Sequence, residues 1–342
     1  MKYGVMMAYG GTTGNHNIGD FIQAIAGRQF LPRVDAYLDR ETDLAAYHDE
    51  PMKMIMNGWF TNNTADWPPS EKIIPLLVSF HINKAGLPGL LSEESIRFYR
   101  EHEPVGCRDT NTLSILQKHG IKAYFSACLT LTLGRTYATD HKSGEILFVD
   151  PYELKGSLKS RYGLQAAAFL LTHPLSVCKV CRKRGEKGLS RVLRIAYFLS
   201  EHSKVFDLKM LVEAHYILYG HMKLGTNYPS VDDKLALAES LIRRYAAAKA
   251  VITTRIHCAL PCLGLETPVI YMERENDTEQ STMRMGGVKD LFNIVSWDGQ
   301  CIHNKTGVGK ITAETFPENK PLWRKYADDL AAACERFIGK EE

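Results

Sequence analysis

Several things are scarce or missing in this 342-residue chain, and each absence narrows what it does. No apolar run reaches the ~20 residues that a membrane-spanning helix needs. One of the two longest stretches without formal charge, residues 162–178, is interrupted by Gln165, His173 and Pro174 and reads as a buried helix. The chain does not start with a basic segment, an apolar core and a small-residue cleavage site, so no secretory signal is expected. Charge is nearly balanced, with 42 Lys and Arg against 39 Asp and Glu. No like-charged block exceeds a few residues, so charge gives no push towards nucleic acid or membrane surfaces, and peripheral contact is the most a membrane could have. The cysteines do not form a framework. Cys107, Cys128, Cys258, Cys262 and Cys334 lie in apolar segments, where reduced thiols act as small core residues, and a cytoplasmic location suits them. Cys178-x-x-Cys181 has no second ligand pair, so it reads as structural. Neither HxH nor HExxH occurs, so no metal site is expected, and there is no GxGxxG or Walker loop.

The composition that remains is that of an ordinary globular protein, 45% hydrophobic and 24% charged, and the length suits two domains of comparable size. Apolar runs at 3–8, 54–57, 76–80, 105–107 and 124–126 read as strands, and 129–133 as another. Between them, 20–29, 92–101 and 109–119 carry helical spacing. A second series starts at 146–149, passes through a basic, helix-rich middle (158–200) and a helix at 235–248, and ends in the segment 250–270. Alternation of this kind predicts an α/β fold with two doubly wound, Rossmann-like domains facing across a cleft. The expected division is 1–140, 141–320 and a C-terminal helix, 321–342, docking back, with the boundary in the polar stretch 134–145.

Four constellations sit where strands end and helices begin, the edge at which open parallel sheets bind ligands. The first is Gly14-Asn15-His16-Asn17-Ile18-Gly19-Asp20, either a backbone anion cradle or a helix start capped by Asn17 or Asp20. The second is Arg108-Asp109. A guanidinium there suits bidentate capture of carboxylate or phosphate, although such an arginine is more often solvated or salt-bridged. The third is His81, in Ser79-Phe80-His81-Ile82-Asn83, where a lone histidine is more often structural. The fourth is Thr254-Arg255-Ile256-His257. Two polar side chains at one edge favour function there even in isolation.

Taken together, Asn17-Ile18-Gly19-Asp20, residues 105–112, Ser126-Ala127-Cys128-Leu129-Thr130-Leu131 and Thr253-Thr254-Arg255-Ile256-His257 through Thr267-Pro268-Val269-Ile270 resemble the polysaccharide pyruvyl transferase family in order and spacing. The resemblance implies the glycosyltransferase-B arrangement, with an active site in the interdomain cleft. It also implies transfer of the enolpyruvyl unit of phosphoenolpyruvate onto a sugar, usually as a pyruvate ketal, in synthesis of cell-surface or extracellular polysaccharide. The donor is a substrate, and no cofactor is implied. The acceptor would be a saccharide or a lipid-linked oligosaccharide. The family's Arg-x-His motif falls on Arg255 and His257, and its arginine before Asp on Arg108. The sequence departs from the family at residues 79–85, where SFHINKA replaces a Gly-rich segment. On this basis His257 is expected as the principal acid/base and His81 as a second. Arg108 and Arg255 would hold phosphate and carboxylate, and Asn17 and Asp20 would shape the rim and meet the acceptor.

Two rival readings remain open. A nucleotide-sugar glycosyltransferase would usually have an acidic residue near the helical segment 258–265, and Glu266 and Glu273 are the nearby candidates. A non-catalytic saccharide- or phosphate-binding homologue would keep the fold without turnover. The loop aromatics Trp59, Trp67, Tyr228 and Trp297 could stack on sugar rings, but packing explains each one more simply.

Overall fold

The computed structural model describes residues 1–8, 17–60, 64–153, 161–275 and 278–339. The Gly14–His16 part of the first constellation therefore lies outside the described residues, as does 154–160 at the start of the basic middle.

The protein is α/β, with two six-stranded sheets. The first contains β1 (Lys2–Met7), β2 (Ala36–Asp39), β3 (Met52–Phe60), β4 (Ile73–Ile82), β5 (Val105–Cys107) and β6 (Ala123–Phe125). Its order is β2-β1-β3-β4-β5-β6 and every pairing is parallel. The second contains β7 (Ile146–Val149), β8 (His215–Ile217), β9 (Ala250–Thr253), β10 (Val269–Arg274), β11 (Asn293–Trp297) and β12 (Ile302–Asn304). Read from its β8 edge, it repeats the same order, and only β12 runs antiparallel. In both sheets the order reverses beside the first strand, which makes the carboxyl ends of β1 and β3, and of β7 and β9, the switch points where doubly wound sheets bind ligands.

Side-chain alternation along the strands explains how the halves join. Leu147, Val149, Val251 and Val269 face a core shared with Val5, Ile55 and Val78 of the first sheet. Their neighbours Phe148, Ile252 and Ile270 face the opposite way, onto the helices Arg161–Thr172, Pro174–Arg184 and Leu189–His202. One continuous apolar core thus connects both sheets, filled by the helices Ile18–Arg28, Val231–Ala247 and Ile256–Gly264. Two glycines bring the halves into main-chain contact. A Cβ on Gly134 would lie 2.0 Å from the Gly264 carbonyl oxygen, and one on Gly264 would lie 2.2 Å from that of Leu131. The last helix, Trp323–Gly339, packs beside Leu129–Thr132, and the Phe337 carbonyl accepts from Lys53 Nζ at 3.1 Å.

The segment expected as a strand at 129–133 is instead a 3-10 turn, Leu129–Thr132, followed by the helical turn Gly134–Tyr137. A short buried apolar run does not distinguish strand from turn by periodicity, and the close approach to Gly264 decides the outcome. Of the loop aromatics, Trp67 is buried against Phe80, Phe98 and Tyr99, and Trp297 stacks on His202.

Candidate active site

A cavity of about 660 Å³ lies between the two sheets' strand ends, lined by Asn17, Ile18 and Gly19 on one side and by Tyr219, Lys223, Arg255, His257 and Arg284 on the other.

Asn17 caps the first helix, its side chain accepting from Gly19 N at 3.2 Å. Capping fixes where the helix starts, and hence where Gly19 sits. A Cβ on Gly19 would stand 2.7 Å from His257 Nδ1, so only glycine lets the helix start lie directly against the imidazole. Asp20, expected on the rim, is instead buried. It accepts from Gln23 Nε2 at 3.0 Å and pairs with Arg40 at 3.7 Å.

His257 sits one residue into the helix Ile256–Gly264 with φ −85° and ψ 16°. Pro261 explains this local break, because it has no N–H to offer the carbonyl four residues back and its ring crowds that oxygen. His257 is buried, and its Nε2 has no hydrogen-bond partner among the described residues. Burial pushes its pKa well below the ordinary value, and the charges of Arg108, Arg284 and Arg40 push the same way. The resting side chain is therefore a neutral imidazole in a positive field.

Arg108 follows β5, and its backbone N donates to the Phe80 carbonyl at 2.8 Å. The residue is 0% exposed, yet none of its three guanidinium nitrogens has a partner among the described residues. Desolvation brings its pKa down to about 10, with Arg284 adding to the effect. An unpaired buried charge costs several kcal/mol, so a nearby anion would relieve an electrostatic penalty here.

Beside it, His81 Nδ1 lies 2.6 Å from Asp109 Oδ2. Asp109 also caps the helix Thr110–Lys118, accepting from Thr112 N at 2.8 Å. Burial and the Arg108 charge push His81 down to about 4 despite its acidic partner. Burial alone would raise the Asp109 carboxyl, but the His81 hydrogen bond and the positive charges hold it below its usual value. A neutral imidazole next to a carboxylate donates from Nδ1, and that leaves Nε2 as the basic nitrogen. Ser79, two residues earlier, takes φ 54° at the β3–β4 bulge, and its Oγ has no partner among the described residues. A serine in a glycine-like conformation is local strain of the sort that gathers at functional sites. It falls in the stretch where the resemblance leads one to expect glycine.

Arg255 lines the cavity half-exposed. Its Nε donates to Asp150 Oδ2 at 2.6 Å, and the guanidinium lies 5.6 Å from the Tyr219 ring centroid. Asp150 ends β7 with φ 44° and also accepts from Tyr219 N at 2.9 Å, so one carboxylate orients both neighbours.

The fold thus places Asn17, Arg255 and His257 on the cavity, with Arg108 and His81 electrostatically coupled to His257. Arg40, Arg284, Asp150 and Tyr219 join them without having been singled out from the sequence. Arg40 directly follows the short strand β2, whose alternation (Ala36, Leu38) was the available signal. Arg284 ends the six-residue helix Glu279–Arg284, and nothing local distinguishes it from a surface cation. Thr110 N reaches across to the Gly286 carbonyl at 3.1 Å. That contact holds the Arg284 segment against the first half.

The facing strand ends of this doubly wound α/β protein thus gather guanidinium groups and a neutral buried histidine, a charge pattern that suits an anion. The sequence matches the polysaccharide pyruvyl transferase family over residues 17–276, well over half its length, and the chain belongs to that family, hence to the transferases. No curated protein and no solved structure matches it.

Proposed function

We propose that the protein moves the enolpyruvyl unit of phosphoenolpyruvate onto a saccharide acceptor and closes a pyruvate ketal with release of inorganic phosphate, in cytoplasmic steps of cell-surface polysaccharide synthesis. The observation that carries this reading is the fully buried, unpartnered Arg108 guanidinium beside the unpartnered Nε2 of His257.

Phosphoenolpyruvate presents a phosphate and a carboxylate, and Arg108 with Arg255 holds these two groups. The acceptor hydroxyl oxygen bonds to C2 and loses its proton to a histidine, while C3 of the donor gains a proton and becomes the methyl group. The C2–O bond to phosphate then breaks, and the phosphate leaves with its electron pair. A second hydroxyl bonds to C2 and loses its proton to complete the ketal. His257 starts neutral and so accepts the first hydroxyl proton and delivers it to C3, and His81, its basic Nε2 oriented by Asp109, accepts the proton of the second hydroxyl. Asn17 acts at the rim as helix cap, and Asp20 acts from beneath it by pairing with Arg40.

The glycosyltransferase reading draws less support from its acidic candidates. Glu266 pairs with Arg324 at 3.2 Å, and Glu273 is engaged by Lys289 and Lys305. The test is incubation with phosphoenolpyruvate and a panel of sugars, following released phosphate and a new ketal methyl signal by NMR. A hexose mass added to the acceptor would establish the rival. Binding of phosphoenolpyruvate without phosphate release for any acceptor would establish a non-catalytic protein.

A further inference from the structure

The near-balanced charge of the whole chain conceals a local concentration. Between residues 162 and 200 there are seven Lys and Arg (Lys179, Arg182, Lys183, Arg184, Lys187, Arg191 and Arg194) against a single acid, Glu186. That is net +6 in a chain whose total is +3. This segment forms the three helices on the face of the second sheet turned away from the shared core. Of its cations, Lys179, Arg182, Lys183, Lys187 and Arg191 are exposed.

The same segment carries the most exposed large apolar side chains among the described residues: Leu175 at 84%, Leu171 at 82%, Leu164 at 75% and Leu189 at 71%. Single exposed leucines are unremarkable, but all four that exceed 70% fall between positions 164 and 189. Leu164, Ala168 and Leu171 are exposed at i, i+4 and i+7, one stripe of the helix Arg161–Thr172. Pro174 then opens a new helix, Pro174–Arg184, which places Leu175 in its first turn.

Among the described residues no single helix is long and apolar enough to cross a bilayer, but the pair Tyr162–Thr172 and Pro174–Arg184 has the joint composition and is bent by 105°. A helix of that length reaches roughly 16 Å, about half the hydrocarbon thickness. A right-angled pair with leucines on its outer stripe and cations around it suits the headgroup layer, where apolar contact and anionic lipid act together.

We infer that the Arg161–His202 helical face is a docking surface for an anionic lipid bilayer, with Leu164, Leu171 and Leu175 entering the interface and Lys179, Arg182 and Lys187 meeting lipid phosphates. It does not depend on which reaction the cleft performs.

The full chain is centrifuged with phosphatidylcholine vesicles with and without phosphatidylglycerol. It is expected to sediment with the mixed vesicles and to lose that binding in high salt. Leu171→Asp/Leu175→Asp and, separately, Lys179→Glu/Arg182→Glu/Lys187→Glu should each weaken partitioning at least about tenfold with an unchanged melting temperature, since these side chains lie in solvent. Absence of binding to mixed vesicles, or binding that the leucine variant leaves intact, overturns the inference. A dimer in sedimentation velocity that the leucine variant dissolves also overturns it and assigns the face to a second copy.

Discussion

The two walls of the cleft are built on one strand order, yet they treat their histidines differently. His81, set behind the first wall, has a carboxylate 2.6 Å from it that is itself fixed by a helix cap. His257, on the second, has no such partner for Nε2 among the described residues and answers only to burial and to the cations around it. Burial lowers both imidazoles most and the Arg108 charge lowers both, but at His81 the Asp109 carboxylate pushes back, whereas at His257 an incoming anion is what would offset Arg108, Arg284 and Arg40. A ligand that brings negative charge into the cleft changes His257 most, so the second wall supplies the group that responds to substrate.

The strongest way to break this comparison is to remove the charge on which both histidines depend. Arg108→Met should lower kcat/KM by roughly 10⁴-fold, the scale on which an arginine stabilises charge developing on a phosphate. It should also raise stability by about 1–3 kcal/mol, because an uncompensated buried cation gives way to an apolar chain of similar volume. Steady-state phosphate release and urea unfolding measure the two effects. If Arg108 is a structural ion-pair member, unfolding will move in the opposite direction.

Next in size is the contrast between the histidines. His257→Asn should cut kcat by about 10³-fold at nearly unchanged donor affinity, as expected for loss of an acid/base group. His81→Asn should cost activity as well, and in addition stability, because Asp109 loses the donor that holds its buried carboxylate. Equal stability losses for the two variants would show that the Asp109 pairing makes no difference between the walls.

How much of this was readable beforehand depended on whether a residue's neighbours in sequence are also its neighbours in space. The strands Val105–Cys107 and Ile146–Val149 and the cap at Asp109 follow from local pattern, and they appear where the pattern puts them. Arg255 and His257 were visible because one strand end carries both. Arg284 was not, since only a contact across the halves, Thr110 to Gly286, brings its helix to the cleft. Asp20 looked like a rim residue because a helix start is normally exposed. The shared core and Arg40 bury it instead. The run 129–133 misled for the same reason: its conformation is decided by Gly264, far away in sequence.

Gly19→Ala tests whether the two walls must touch. The new methyl would meet His257 Nδ1 at 2.7 Å, so either the imidazole or the helix start must move. A loss of about 10- to 100-fold in kcat is expected, with a melting temperature only slightly lowered. Unchanged kinetics would mean that the position of His257 is not critical.

Acid should act on stability through the same buried imidazoles. His81 and His202 are pushed down to about 4 and about 3 by burial, and His257 also lies well below its ordinary value. Each folded value lies below the unfolded one, near ~6.5. The unfolded chain therefore takes up the proton first, and the stabilisation, complete above ~6.5, is lost as pH falls towards the folded values. For His81 the interval corresponds to about 3 kcal/mol. Urea midpoints between pH 7 and 4 should fall steeply, and His202→Phe, which keeps a ring against Phe198 and Trp297, should remove about one proton from the slope. A slope that the variant leaves unaltered would place the titration elsewhere.

The smallest effect isolates the asymmetry between the walls most directly. Binding of phosphoenolpyruvate brings negative charge to Arg108 and so relieves the field that keeps His257 neutral. Its pKa should rise on binding, and at neutral pH a fraction of a proton should be taken up from solvent. Calorimetric titrations in two buffers of different ionisation enthalpy measure that fraction directly. His257→Asn should abolish the uptake. His81→Asn should preserve the larger part of it, because the Asp109 carboxylate already offsets part of the Arg108 charge at His81. Uptake that survives in His257→Asn and disappears in His81→Asn would reverse the assignment and make the first wall the one that responds to substrate.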